Sequence, residues 1–319
     1  MPIQLTRRDS MLAAGGILLG AVNMPHAHAL DETPAETPRW KYCLNASTLR
    51  GQNLTMEQFV DIAAEAGYQA IEPWINEIEK FIQAGGSLAD LSKRIADKGL
   101  TVESAIGFAK WIVDDETERM AGLEQARRDM DWVKQLGGTR IAAPPAGATN
   151  QTDLSLDKAA ERYRALLELG ASLGVTPQLE VWGFSKSLSK IGEVLYVASQ
   201  AGHADACLLP DVYHLFKGGS PFESLKLISG TAMHVFHMND YPAAPPRAEM
   251  TDAHRVYPGD GVAPLAEIYT MLKTIGFTGT FSLELFNRDY WQQDALTVAK
   301  TGLEKMQASV AAWGEGYDE

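Results

Sequence analysis

Residues 233–241, M-H-V-F-H-M-N-D-Y, decide how the chain is read. A short apolar run ends in a histidine, His237, and then breaks into polar residues. Downstream, past a proline-rich loop that closes in H-R-V-Y-P-G-D-G (254–261), the run G-T-F-S-L-E-L-F-N (279–287) does the same and ends on Glu284. Burying a bare carboxylate costs several kcal/mol unless it is paired. Apolar strands that deliver polar groups at their last residues therefore describe the mouth of an enzyme barrel better than a core.

Outward from this stretch, strand-like and helix-like segments alternate. Strands are expected at 40–44, 70–74, 100–106, 140–143, 175–180, 206–211, 233–238 and 281–285. Thr55 is a good N-cap, with Gln58 completing a capping box, and the helix runs through Phe59, Ala63 and Ala66 to Gly67. Ser87 opens a second helix with Leu88, Leu91 and Ile95 on one face. Met120, Leu123, Ala126, Met130, Val133 and Leu136 step by three or four and predict a third. Further helices are expected at 156–173 and 294–312. Eight strand-then-helix units without an internal composition break predict an α/β chain that is a single (β/α)8 TIM barrel over residues 40–319.

The first residues carry other information. Arg7-Arg8, an apolar run over 11–22 and Ala27-His28-Ala29 match an export signal of the twin-arginine type over 1–29; an ordinary secretory signal and an uncleaved anchor are the alternatives. The apolar run is shorter than the ~20 residues that span a bilayer, so a periplasmic destination without a stable membrane anchor is expected. Residues 30–39 read as a Pro/Thr/Glu linker. The formal charge is −13, and one unit more negative without residues 1–29, which hold Arg7, Arg8 and Asp9. Such a surface disfavours nucleic acid and anionic lipid. Only two cysteines are present, each in an apolar run, and both are expected to be small core residues.

In a barrel of this kind the reacting groups lie at the C-terminal ends of the strands. Glu180, Asp211, His237 and Glu284 occupy the ends of strands five to eight. Each alone reads as a salt-bridge or capping residue. Together they would repel without a cation, and three oxygens and a nitrogen suit one divalent metal ion, Mn²⁺, Mg²⁺, Co²⁺ or Zn²⁺. Glu72 ends strand two and either lines the pocket or forms a salt bridge. Asn45 ends strand one and reads as a turn residue. His234 is expected to point away from His237, and His254 to lie on the rim. Trp182, Phe184, Phe286 and Trp291 either wall the pocket or pack in the core.

The pieces P-D-V-Y-H (210–214), H-M-N-D (237–240), R-V-Y-P-G-D-G (255–261) and S-L-E-L-F (282–286), with C-L-N-A-S-T (43–48), resemble the xylose-isomerase-like sugar isomerase and epimerase barrels. Among these the likeness runs to the 2-keto-myo-inositol isomerases and covers residues 42–306. The resemblance implies that Glu180, Asp211, His237 and Glu284 bind one metal and that Glu180 and Glu284 also move the substrate proton. It further implies that His214 and Arg255 hold substrate oxygens. Related ketohexose epimerases carry another glutamate about six residues after the first ligand. Lys186 stands there in this chain, which argues against ketohexose epimerisation and leaves Lys186 to contact a keto or anionic group.

The expected chemistry is removal of a proton α to a carbonyl of a keto-sugar or keto-inositol, with the resulting enediolate stabilised by a Lewis acid. Its reprotonation gives an isomerase or epimerase. Loss of a β-substituent instead gives a lyase or dehydratase acting on keto-sugars or 3-keto-glycosides. A barrel-shaped DNA-repair endonuclease predicts a basic face and a cluster of extra histidines, against the strong negative charge and the five histidines that remain without residues 1–29. A non-catalytic periplasmic sugar-binding barrel is disfavoured by the full ligand set. The partners expected are a small-molecule sugar or cyclitol and the twin-arginine export machinery, with an oligomer left open.

Overall fold

The computed structural model describes residues 40–317, with side chains to residue 314. Residues 1–39, over which an export signal and a linker are expected, lie outside the described residues. Eight parallel strands are present: β1 Lys41–Asn45, β2 Ala70–Glu72, β3 Thr101–Val102, β4 Arg140–Ala143, β5 Thr176–Glu180, β6 Leu208–Leu209, β7 Val235–Met238 and β8 Thr280–Leu283. Regular pairing gives the orders β3-β2-β1-β8-β7 and β4-β5-β6. Two seams join them into a ring. Ala105 N–H donates to Arg140 O and Ala142 N–H to Ala105 O between β3 and β4. His237 N–H donates to Pro210 O, with the parallel bridges Leu208–Met233 and Asp211–His237, between β6 and β7.

Strands three and six are shorter than expected, for local reasons. Thr101 and Glu103 donate to β2, whereas Ala105 donates to β4. The alternation of bonding sides thus slips at Ser104, which ends regular pairing. In β6, Pro210 has no N–H to donate.

Nine helices are described: α1 Met56–Ala66, α2 Ile75–Gln83, α3 Leu88–Asp97, α4 Glu116–Gln135, α5 Leu156–Leu173, α6 Ile191–Ala201, α7 Val212–Gly218, α8 Leu265–Thr274 and α9 Ala295–Tyr317. Helix α1 carries the expected capping box from Thr55 and Gln58, and Gly67 ends it at φ 96°, a left-handed conformation that suits glycine. Met120 departs from the expected face of α4 and is 54% exposed. The buried stripe is Gly122, Ala126, Asp129, Met130 and Val133. Gly122, one turn before Ala126, packs so tightly on the Lys110 backbone that a Cβ there would lie 2.6 Å from its carbonyl oxygen, which makes Gly122 and not Met120 the first residue of the buried stripe.

Helices α2 and α7 are additions to the expected pattern. Both sit directly after a strand, α2 behind β2 and α7 behind β6, and so crown the C-terminal end of the ring. Cys43 and Cys207 are buried and unpaired, as core residues. Among the described residues no helix is long and apolar enough to cross a membrane.

Candidate active site

At the C-terminal end of the ring the polar strand ends converge. Asp211 is the N-cap of α7: its Oδ1 accepts from His214 N–H at 2.7 Å, which leaves Oδ2 free to face inward. That oxygen accepts from Asn239 Nδ2 at 3.0 Å and from Arg255 Nη1 at 2.8 Å. The same Nη1 donates to Glu284 Oε2 at 2.9 Å. Arg255 is therefore inserted between two carboxylates, and Asp252 Oδ1 holds its other edge at 2.8 Å from Nη2.

His237 stands behind this pair with no exposed surface. Its Nε2 lies 3.0 Å from Glu72 Oε2, which also accepts from Ser282 Oγ at 2.7 Å and Asn45 Nδ2 at 2.8 Å. Its Nδ1 has no hydrogen-bond partner, yet it lies 3.3 Å from Glu284 Oε2 and 3.7 Å from Asp211 Oδ2. A ring nitrogen oriented by a carboxylate on one side and left unbonded toward two carboxylates on the other is the arrangement of a metal-ligating histidine. Glu180 closes the ring of donors, with Oε1 4.0 Å from His214 Nε2.

His214 offers a second way to complete a ligand set, since ligand atoms of Asp211, His214 and Glu284 lie within 4.8 Å of one another. Its nitrogens are already engaged, however. Gly183 N–H points at Nδ1 from 3.3 Å, and Nε2 lies 3.1 Å from Arg255 Nη2. His237 has the freer donor. With its carboxylate neighbours it offers the hard-to-borderline set that a divalent cation takes.

The electrostatics divide the two glutamates. Burial, reinforced by Glu284, pushes the Glu180 carboxyl up to about 8. Burial also acts on Glu284, but His237 and Arg255 outweigh it and hold that carboxyl well below the usual range. Burial works against a charge on His237, yet Glu284 and Glu72 raise it well above the ordinary imidazole value. His214 is lowered by burial and is neutral at pH 7. Without a cation the cluster thus holds Glu284 ionised, Glu180 protonated and His237 positive.

Of the residues singled out in the sequence, Glu180, Asp211, His214, His237, Arg255 and Glu284 are brought together. Glu72 is present in the salt-bridge sense, as the partner of His237. Lys186 is exposed on the loop after β5, outside the buried cluster. His234 faces the charged groups Arg140, Asp205 and Glu103, away from His237. Asn45 is the turn residue expected, its Oδ1 accepting from Ser47 N–H, and its Nδ2 also reaches Glu72 and Glu284. Asn239, Asp240, Asp252 and Ser282 were not expected to serve the site; the signal for Asn239, Asp240 and Ser282 was their position beside strand ends, in H-M-N-D and F-S-L-E, and Asp252, on the loop before Arg255, had none.

Over the cluster, aromatic rings form a chain around the mouth. Trp74 meets Phe108 at 5.3 Å and Phe286 at 5.9 Å, and Phe108 meets Trp182 at 6.0 Å. These rings come from the ends of strands two, three, five and eight.

Comparisons agree with this architecture. A model of the xylose isomerase-like TIM barrel family matches residues 60–309. An inosose isomerase of Bacillus velezensis is 28% identical over 282 residues, covering 86% of this chain and 98% of that protein. A 3-dehydroshikimate dehydratase of Pseudomonas putida is 22% identical over 79% of this chain and 39% of that one. Among solved structures, the IolI protein with a bound zinc atom superposes with a TM-score of 0.79 at 22% identity, over 86% of this chain and 99% of that chain.

Proposed function

The chain belongs to the xylose isomerase-like TIM barrel family, and from that premise we propose that it is a divalent-metal-dependent isomerase or epimerase of a keto-inositol or keto-sugar. The observation that carries the reading is His237 Nδ1, buried and unbonded beside Asp211 and Glu284. Glu180, Asp211, His237 and Glu284 would hold the cation. The B. velezensis relative, an inosose isomerase, supports the substrate class. The zinc in the IolI structure supports a metal.

When bound, the cation would act as a Lewis acid on a substrate carbonyl. The chain's own residues supply the proton transfers. Glu284, whose carboxyl Arg255 helps to hold ionised, takes the proton from the carbon next to the carbonyl. Glu180 returns one to the neighbouring carbon or to the opposite face. Each transfer contributes roughly 10²–10⁴-fold. Arg255 and His214 are placed to hold the oxygens on which negative charge develops. The aromatic mouth excludes water from the exchange.

Proton NMR in D2O with 2-keto-myo-inositol and Mn²⁺ or Zn²⁺ tests this. The α-hydrogen should exchange and an isomeric ketone of unchanged mass should accumulate; Glu284→Gln should stop both, and Glu180→Gln should stop the accumulation. An isomeric ketone that still accumulates in Glu180→Gln would remove Glu180 from the reaction. The similarity to a dehydratase supports a second reading, elimination from the same intermediate; it predicts loss of water or of an aglycone in the same spectra.

We also place the protein in the periplasm, because Arg7-Arg8 and Ala27-His28-Ala29 match an export signal. Replacing both arginines by lysine should leave the protein in the cytoplasmic fraction, and unchanged fractionation would rule out that route.

A further inference from the structure

A cavity near the catalytic cluster belongs to no part of the site described so far. It measures about 660 Å³ and lies between the 3₁₀ turn Ala46–Gln52, the start of α1 and the length of α2. It begins at Ala46, one residue from Asn45, whose Nδ2 reaches Glu284 Oε1 at 3.4 Å. Its wall toward the active site is Arg50. That guanidinium lies 3.7 Å above the Trp74 ring and 5.5 Å from the Phe286 ring, two members of the aromatic mouth. Arg50 Nη2 is buried and has no hydrogen-bond partner. Arg50 itself lines the cavity, so its guanidinium is the donor group that a ligand oxygen there would meet.

The lining identifies the ligand chemistry. Positive Arg50 and Lys80 are balanced by Glu57 and Glu77, so the cavity does not select a charged group. Asn53, Thr55 and Asn76 line it with donors and acceptors, and Leu49 and Phe81 with apolar surface. Such a mixed lining, without net charge, suits a hydroxylated ring. The volume falls within the roughly 300–1,000 Å³ of small-molecule pockets, and the lining includes none of Glu180, Asp211, His237 and Glu284, which would hold the cation and the reacting ring.

We propose that this cavity is a subsite for a second, neutral glycosyl or polyol unit of the substrate, anchored by Arg50, so that the natural substrate is larger than a single keto-ring. The proposal rests on the reaction proposed above for its location, but the binding test does not require turnover. Arg50 then has two duties. It closes the mouth against Trp74 and Phe286, and it donates to the second unit, so that filling the cavity pulls no group out of the catalytic cluster.

Calorimetric binding to the metal-loaded protein, with myo-inositol and with its galactosyl derivative galactinol as probes, tests the idea. The galactosyl compound should bind at least tenfold tighter. Ala84 is an exposed residue on the cavity wall, and Ala84→Trp, which places an indole in the cavity, should reduce that advantage to less than twofold. Arg50→Met should do the same by removing the donor. Equal affinity for the two probes overturns the proposal, as does an advantage that survives Ala84→Trp. Turnover of 2-keto-myo-inositol, measured separately, reports on the catalytic reading alone, so the two failures remain distinguishable.

Discussion

His237 presents its two ring nitrogens to two different environments, and the contrast gives the site its chemistry. Nε2 is held by Glu72, whose Oε2 is in turn fixed by Ser282 and Asn45. Nδ1 is left facing Glu284 and Asp211. Fixing one nitrogen decides which one presents a lone pair to a cation. Glu72→Gln keeps the shape but removes the charge that orients the ring, and should weaken metal affinity about 10- to 100-fold. Unchanged affinity for Zn²⁺ or Mn²⁺ in a competitive chelator titration would show that Glu72 has no such role. Arg255 plays the complementary part. Its guanidinium lies between Asp211 and Glu284 and bridges the two carboxylates.

At the scale of elements, the site is supported by short pieces that crown the ring. Asp211 both faces the cluster and caps α7, so one residue ends a strand, starts a helix and places His214. The loop that carries Arg255 is organised by Asp240. Its two carboxylate oxygens accept from the N–H groups of Tyr241, Gly259, Gly261 and Ala263 at 2.7–3.0 Å. Its backbone pairs with Val256, next to Arg255. A Cβ on Gly261 would lie 2.3 Å from Asp240 Oδ1, which accounts for the glycine in P-G-D-G. Asp240→Ala strands four amides of a partly buried loop and should cost roughly 2–4 kcal/mol, with a lower kcat/KM because Arg255 loses its support. Denaturant unfolding within about 0.5 kcal/mol of the wild type, a shift typical of ordinary surface substitutions, would show that the loop is held by other contacts.

For the whole molecule, the cluster links stability to pH and to metal. The Glu180 carboxyl titrates at about 8 in the fold against roughly 4.3 in an unfolded chain. Because the folded value is the higher one, this contribution is fully present below the unfolded value and is lost as pH rises through about 8. The raised value of His237 acts in the same sense. The depressed value of Glu284 acts oppositely and is lost only on strong acidification. The metal-free protein should therefore melt at a lower temperature at pH 9 than at pH 6. A cation takes the place of the protons on Glu180 and His237, so loading should reverse the trend and add about 2.7 kcal/mol at roughly 100 times Kd. Melting curves at both pH values, with and without chelator, check this; a metal-free protein that is more stable at pH 9 contradicts it.

The sequence by itself determined the barrel and the ends of its last four strands. Both are written in local order: apolar runs that must be buried, caps such as Thr55 and Ser87, and polar residues where a run stops. The convergence of Glu180, Asp211, His237 and Glu284 followed once the strands were taken as neighbours. Only the tertiary structure decided which nitrogen of His237 is free. Its partner Glu72 is 165 residues away in the chain, and no local pattern joins them. The same holds for Arg50, whose stacking on Trp74 and Phe286 needs three strand ends in register, and for Met120, which lies off the buried stripe that Gly122 opens against the Lys110 backbone. Local free-energy preferences specify elements; orientation, protonation and the cavity at the mouth depend on contacts that exist only after the ring has closed.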